Sequence, residues 1–488
     1  MDTNGVELRY EANGNWEAET QHGMLAEAYE FAKKCGLFKV MEGLGYEMKT
    51  VVYSPVDKLK TLWASVMVGC EHTVEINEQF GEHEARLAEV FGLKRFPDQS
   101  QVNRVLTATT LDQVERWREG HLKLLVANSR AKDEGLWWKA ATGERFLMVD
   151  IDQRGIVVSG KEYEVAEPGF FGSKRGHRGY QLTLMWFGGG IGEVVDEYLD
   201  GGKTPMRDRL PDVLQTLSEV CQKLGIAPGQ VIIRADAQLG TPWSISQIRR
   251  FGFHYILKGL TPKRAQVLAE TATGVYWRVK PNAEGSPRWL CDLGDITHRD
   301  CSQTDHQGTL VTSRTLSLVY RTHLPHPPEP GSISRSHTRP HAPTLHYAYL
   351  LTDLTPAQLP IQQVLFVYDD RATIERYFAD EQYALGAKHI RTHHFAGAAL
   401  FQFLVATTNN VLRWFKHLLF AGSTFARLGL LRLIRQVINL PARLFHHGHQ
   451  WLVQFPASHA LARKLIAACP HFSQPLSFAT SESCLHKI

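Results

Sequence analysis

Cysteine is sparse and scattered in this sequence. The seven cysteines of the 488-residue chain are Cys35, Cys70, Cys221, Cys291, Cys301, Cys469 and Cys484, with no Cys-x-x-Cys pair among them. Zinc ribbons and secreted disulfide scaffolds need clustered cysteines, so both classes fall away and a reducing cytoplasm fits. Charge of one sign is also scarce: 54 Lys and Arg face 50 Asp and Glu, a net charge of +4. A uniformly basic coat for nucleic acid is thereby excluded, although local basic patches are not. Long apolar runs are missing too. The best stretch, Ala398 to Ala406, stops at Thr407-Thr408-Asn409-Asn410, short of the roughly 20 residues a membrane-crossing helix needs. No membrane partner is expected, and the polar, acidic start from Met1 to Arg9 is not a signal peptide. What is present is 43% apolar and 21% charged residues. That composition is globular, with material for two to four domains.

Patterning divides the chain into six regions. Residues 1–24 carry Asp2, Glu7, Glu11, Glu17 and Glu19 with few apolar anchors, which predicts a loose leader. Helical periodicity over 25–140 predicts a helical domain, with Leu25, Ala28, Tyr29 and Ala32 on one face and Leu59, Leu62, Trp63 and Val66 on another. From 144 to 258 strands and helices alternate: a buried strand Phe146 to Asp152, strands at Gly155 to Ser159 and Tyr180 to Phe187, a helix near Leu210 to Leu224, and strands Val231 to Asp236 and Phe253 to Lys258. The stretch 259–343 has strand-like segments at Val275 to Val279 and Leu316 to Tyr320 and a Pro/His/Ser loop from His323 to Pro343. It reads as a β-rich insertion, not a continuation of the sheet. The pattern resumes over 344–416, with a strand at Leu345 to Leu354 and a long, broken helix from about Arg371. A basic C-terminal region, 417–488, follows.

Two strands end in acids. Asp150 and Asp152 alternate onto one face of the first strand, and Asp236 closes Val-Ile-Ile-Arg-Ala-Asp. Neighbouring strands lie about 5 Å apart, so such carboxylates can share a divalent cation and support phosphodiester chemistry. Acids also finish strands simply because loops begin there. A third element is Tyr368-Asp369-Asp370-Arg371-Ala372-Thr373-Ile374-Glu375, in which Arg371 and Glu375 share a helix face. An ordinary helix ion pair explains that spacing by itself, but not the two acids upstream. Two other signals fail. The Gly188-Gly189-Gly190-Ile191-Gly192 run does not meet the dinucleotide fingerprint in either register and reads as a strand-to-helix turn. Cys291, His298 and Cys301 have no fourth ligand at a suitable spacing.

Strand-Asp, strand-Asp and a late helix with Tyr-x-x-Arg-x-x-x-Glu resemble the DDE transposases of bacterial insertion sequences, in the subgroup with a Tyr-Arg-Glu-Lys signature. Tyr368, Arg371 and Glu375 match the first three positions; the fourth is Gln382, with Lys388 nearby but out of register. The resemblance spans about 144–416. It implies an α/β fold: an RNase-H-like mixed-sheet catalytic core, here with a β-rich insertion and an N-terminal helical domain. By position it assigns the metal ligands to Asp152, Asp236 and Glu375, with Asp150 as an alternative ligand or a support for Asp152. It implies two Mg²⁺ ions, or Mn²⁺, and an endonuclease that cuts transposon ends and joins the 3′ hydroxyls to target DNA. The partner is then double-stranded DNA, both transposon ends and target, handled by a homodimer, in the cytoplasm and on the nucleoid when DNA is bound.

Such a protein must also hold DNA. Lys174, Arg175 and Arg178 lie in a glycine-flanked loop suited to phosphate, although a solvated surface turn has the same composition. The resemblance implies that Tyr368 and Arg371 orient phosphate beside Glu375. In the helical domain, Glu82 to Leu93, the turn Arg95 to Asp98 and a second helix from Ser100 resemble a helix-turn-helix. Gln101, Asn103 and Arg104 lie on its polar side, where they would face a major groove; helix hairpins are equally common in plain bundles. Two other functions stay open at this point: a catalytically inactive, transposase-derived DNA-binding regulator, and an RNase-H-like nuclease without strand transfer.

Overall fold

The structure, a computed structural model, describes residues 7–12, 18–48, 52–169, 171–172, 176–282, 285–301, 306–321, 345–447 and 450–468. The chain forms two compact units, one from residues 130–155 and 181–374 and the other from 1–129, 156–180 and 375–488.

The first of these is built on a mixed sheet. Its strands are β1 (Arg145–Val157), β2 (Arg178–Phe187), β3 (Glu193–Gly201), β4 (Val231–Ala235), β5 (His254–Lys258), β6 (Trp277–Val279), β7 (Arg288–Arg299), β8 (Leu310–Arg321) and β9 (Leu345–Thr352). Five of them lie in the order β3-β2-β1-β4-β5, with β1, β4 and β5 parallel, the mixed sheet expected of an RNase-H-like core. The centre of β1 and all of β4 are buried on both faces, which is why they read as near-continuous apolar runs. Helices α1 (Met206–Leu224), α2 (Pro242–Arg250) and α3 (Pro262–Glu270) fall between the strands. In α1, Leu210, Val213, Leu214, Leu217, Val220, Cys221 and Leu224 form one buried stripe. Gly225, at φ +76°, ends the helix by turning its N–H back onto the last carbonyls.

Three expectations change here. The segment 259–343 is not detached from the sheet: β9 pairs antiparallel with β5, β8 with β9, β7 with β8 and β6 with β7. Its loop from His323 to Pro343 lies outside the described residues. The glycine run after β2 leads into strand β3, not a helix; Gly189 and Gly192 take φ of +65° and +70°, and the Gly192 N–H closes onto Phe187 O at 2.9 Å. The separate strand expected at Gly155 to Ser159 is the end of β1, which runs unbroken to Val157.

Helix α4 (Ile361–Asp369) covers one face of the sheet. Val364, Leu365 and Val367 pack there with Phe146 and Met148 of β1, Ile232 of β4, Ile256 of β5, Leu316 and Leu318 of β8 and Leu350 of β9. This layer fixes where the chain after α4 emerges.

The other unit is organised around a helix, Phe395–Leu419. It runs through Thr407-Thr408-Asn409-Asn410, where the apolar run of the sequence ends. It is long and apolar enough to cross a membrane, but 94% of its most apolar window is buried within the protein. The polar residues are satisfied inside: Thr407 and Thr408 donate to Phe403 O and Leu404 O, and Trp117 Nε1 donates to Thr407 Oγ1 at 3.1 Å. Helices Leu25–Cys35, Pro55–Met67, Gln99–Ala108 and Leu111–Asn128 pack on it. Pro55–Met67 begins with a reciprocal cap, in which Ser54 Oγ accepts the Asp57 N–H and Asp57 Oδ2 accepts the Ser54 N–H. Residues 7–12 of the expected loose leader form a strand parallel to Gln450–Phe455, which pairs in turn with Arg443–His447.

Candidate active site

The sheet face under α4 carries the candidate chemistry. Alternation places Phe146, Met148, Asp150 and Asp152 on this face of β1, and Ile232, Arg234 and Asp236 along β4. Parallel register pairs Asp150 with Arg234 and Ile151 with Ala235, so Asp152 and Asp236 are the next opposed positions, at the carboxyl ends of adjacent strands. The face therefore reads, from start to end, apolar, ion pair, acids.

The ion pair is closed. Arg234 Nε and Nη2 donate to the two oxygens of Asp150 at 2.7 and 2.9 Å, with the arginine side chain 1% exposed and the aspartate fully buried. The same guanidinium donates from Nη1 to Val367 O and reaches Asp370 Oδ2 at 3.2 Å. Burial works against the Arg234 charge, but Asp150 and Asp370 outweigh it and hold the group above its ordinary pKa. Gly188 sits against this pair, since a Cβ there would lie 2.5 Å from Asp150 Oδ2 and 2.7 Å from Arg234 Nη2. Both Asp150 oxygens are thus engaged by Arg234.

Asp152 is different. It is 15% exposed; Oδ1 accepts the Gln153 N–H at 2.8 Å and Oδ2 accepts from Arg371 Nη1 at 2.9 Å. Burial pushes its carboxyl above the usual range, Arg371 pulls it down, and Asp236 pushes it up again. Asp236 is half-buried, and its Oδ1 accepts the Gln238 N–H at 2.8 Å, which shapes the turn leaving β4. Around Arg371, burial opposes the charge while Tyr368, Asp152 and Asp236 outweigh it, so its pKa is raised. Tyr368 donates its hydroxyl to Ala235 O at 3.3 Å and stands 5.9 Å from Arg371 by ring centroid. Burial pushes that phenol up to about 12. Tyr368 and Arg371 are thus brought onto the ends of β4 and β1.

These residues fit a divalent cation. Two carboxylates at neighbouring strand ends raise the cost of each other's charge, which a cation relieves, and hard oxygen donors suit Mg²⁺ or Mn²⁺. Arg371 stands where such a charge is needed. Glu375 follows four residues later, exposed, in the first turn of α5 (Thr373–Tyr383), and belongs to the other unit. The long helix expected from Arg371 is in fact a single 3-10 turn (Asp370–Ala372), then α5, then Phe395–Leu419. Gln382 lies on α5 and Lys388 beyond its end.

The remaining candidates are spread out. Arg178 begins β2, while Lys174 and Arg175 lie outside the described residues. Gln101, Asn103 and Arg104 sit on helix Gln99–Ala108, whose first N–H groups are capped by Asp98, and Arg104 is exposed. The sequence reading assigned no role to Arg234. Its signal was an arginine two residues before a strand-end aspartate, matching the Asp150/Asp152 spacing on the other strand.

No individual curated protein matches the chain. A family model described as "Transposase DDE domain group 1" matches residues 46–474. That span holds both strand-end aspartates, Tyr368, Arg371 and Glu375, and by it the chain belongs to the DDE transposase family.

Proposed function

We propose that this chain is a cut-and-paste transposase that binds inverted-repeat transposon ends, cleaves them and joins the freed 3′ hydroxyls to target DNA. The observation that carries the reading is the placement of Asp152 and Asp236 at opposed ends of parallel strands, with Arg371 on Asp152 at 2.9 Å. Asp152 and Asp236 would hold two Mg²⁺ or Mn²⁺ ions, with Glu375 as the third acid of the motif. When bound, the ions activate the attacking oxygen and stabilise the leaving one.

The chain's own residues do the rest. The Asp150–Arg234 pair, tied to Val367 O and Asp370, keeps β1, β4 and the end of α4 in register. Arg371 favours the ionised form of Asp152 and would turn to a phosphate oxygen once a cation takes over that carboxylate. Tyr368 fixes the start of the segment that carries Arg371. Gln101, Asn103 and Arg104 are proposed to read the ends, and Lys174, Arg175 and Arg178 to contact phosphates, within a homodimer that pairs two ends.

The test is an assay of the full chain on the DNA ends that flank its gene, with Mg²⁺ and a target plasmid. Wild type is expected to nick the ends and form joined products, and Glu375→Gln to bind the ends without cutting. Undiminished cutting by Glu375→Gln would overturn the assignment; cutting without joining would reduce the protein to a nuclease.

A further inference from the structure

Away from the carboxylate face, the unit built around Phe395–Leu419 contains Glu71, His72 and His389, whose ligand atoms all lie within 4.8 Å of one another. His389 Nε2 is 3.8 Å from Glu71 Oε2, and the two imidazole centroids are 4.3 Å apart. A tetrahedral zinc ion with bonds of about 2.0–2.1 Å sets its ligand atoms about 3.3 Å apart, so only a small contraction is required. His72 is exposed, and the other two are partly open to solvent.

Both sides of this group are held without any ion. On one side, Glu75 accepts the backbone N–H groups of Glu71 and His72 at 3.2 and 3.0 Å, fixing the two neighbouring ligand residues together. On the other, Arg391 is buried and donates to Cys70 O and to Ser65 Oγ, the latter at 2.9 Å. Gly386, at φ +68°, lies so close to Cys70 that an added Cβ would meet Cys70 O at 2.0 Å. The segment that includes His389 is therefore docked on the residue just before Glu71.

We propose that Glu71, His72 and His389 bind one divalent transition-metal ion of the zinc class, with water completing the coordination, and so clip the 70–72 turn to the 386–391 segment. The mixed His₂Glu donor set selects zinc over magnesium, unlike the oxygen-only face at Asp152 and Asp236. The site is independent of the catalytic proposal.

The experiment uses the untagged full chain, dialysed against Zn²⁺ with excess Mg²⁺ and analysed for bound metal. One equivalent of zinc is expected, kept in Asp152→Asn/Asp236→Asn and lost in His72→Ala/His389→Ala. His389→Cys loaded with Co²⁺ is expected to show a near-ultraviolet thiolate-to-cobalt band, which only a ligating residue 389 produces. No bound zinc in wild type, zinc unchanged by the double histidine variant, or no such band would each overturn the proposal. Loss of zinc on Asp152→Asn/Asp236→Asn with retention in His72→Ala/His389→Ala would assign the ion to the carboxylate face instead.

Discussion

Arg234→Met isolates what the buried ion pair does. The guanidinium is 1% exposed and satisfies both oxygens of a fully buried Asp150. Methionine fills much of the same space beside Met148 and Ile232 but leaves the carboxylate without a counter-charge. Stranding a buried charge in this way costs about 3–5 kcal/mol, and the lost bond to Val367 O adds to it. Adding Asp150→Asn removes the stranded charge. The double variant is then expected to recover about 2 kcal/mol or more, the remainder reflecting an imperfectly bonded amide. Urea unfolding followed by tryptophan fluorescence gives the four corners of the cycle from midpoints at constant m. A loss below about 1 kcal/mol in Arg234→Met, or a double variant no more stable than the single one, would refute the reasoning.

Other outcomes follow from neighbouring geometry. Gly188→Ala puts a Cβ 2.5 Å from Asp150 Oδ2 and is expected to cost about 1–3 kcal/mol in thermal unfolding; an unchanged melting temperature would contradict the crowding. Arg371→Gln removes the partner of Asp152 from a site 14% exposed and is expected to slow single-turnover end cleavage about 100-fold while DNA binding persists; an unaltered rate would remove Arg371 from the chemistry. Glu84 is 1% exposed, and burial pushes its carboxyl up to about 7. Because the folded pKa is raised, the protonated form is the stable one, and its contribution is full below the unfolded value and lost as pH rises through 7. Glu84→Gln is therefore expected to gain stability over wild type between pH 5 and 8, by up to about 3 kcal/mol; a pH-independent difference would contradict this.

What was legible in the sequence was local. Phe146 to Asp152 and Val231 to Asp236 announce themselves because strands buried on both faces are apolar until they reach the site. Pairing was not legible. That Arg234 opposes Asp150, or that β7 and β8 extend the main sheet through β9, depends on register between distant segments. The Gly188–Gly192 run suggested a turn, and a turn it is. Its glycines served the ion pair and a link into β3, so the element after it was misread. Thr407-Thr408-Asn409-Asn410 end the apolar run, and that they are nonetheless buried was not legible because partners such as Trp117 and the helix's own carbonyls are supplied only by the fold. The acids of the candidate site were legible by position in the family motif, but the different surroundings of Asp150 and Asp152 were not.

The central claim is that the opposed ends of β1 and β4 bind divalent cations. Crystals of the chain soaked in Mn²⁺ and measured for anomalous scattering test it most directly. Manganese is expected between the Asp152 and Asp236 carboxylates, with Arg371 displaced from Asp152 and the Asp150–Arg234 pair intact, and no such peak in Asp152→Asn. Manganese bound at Asp150, or an undisturbed Arg371–Asp152 pair with no metal between the two strand ends, would contradict the account.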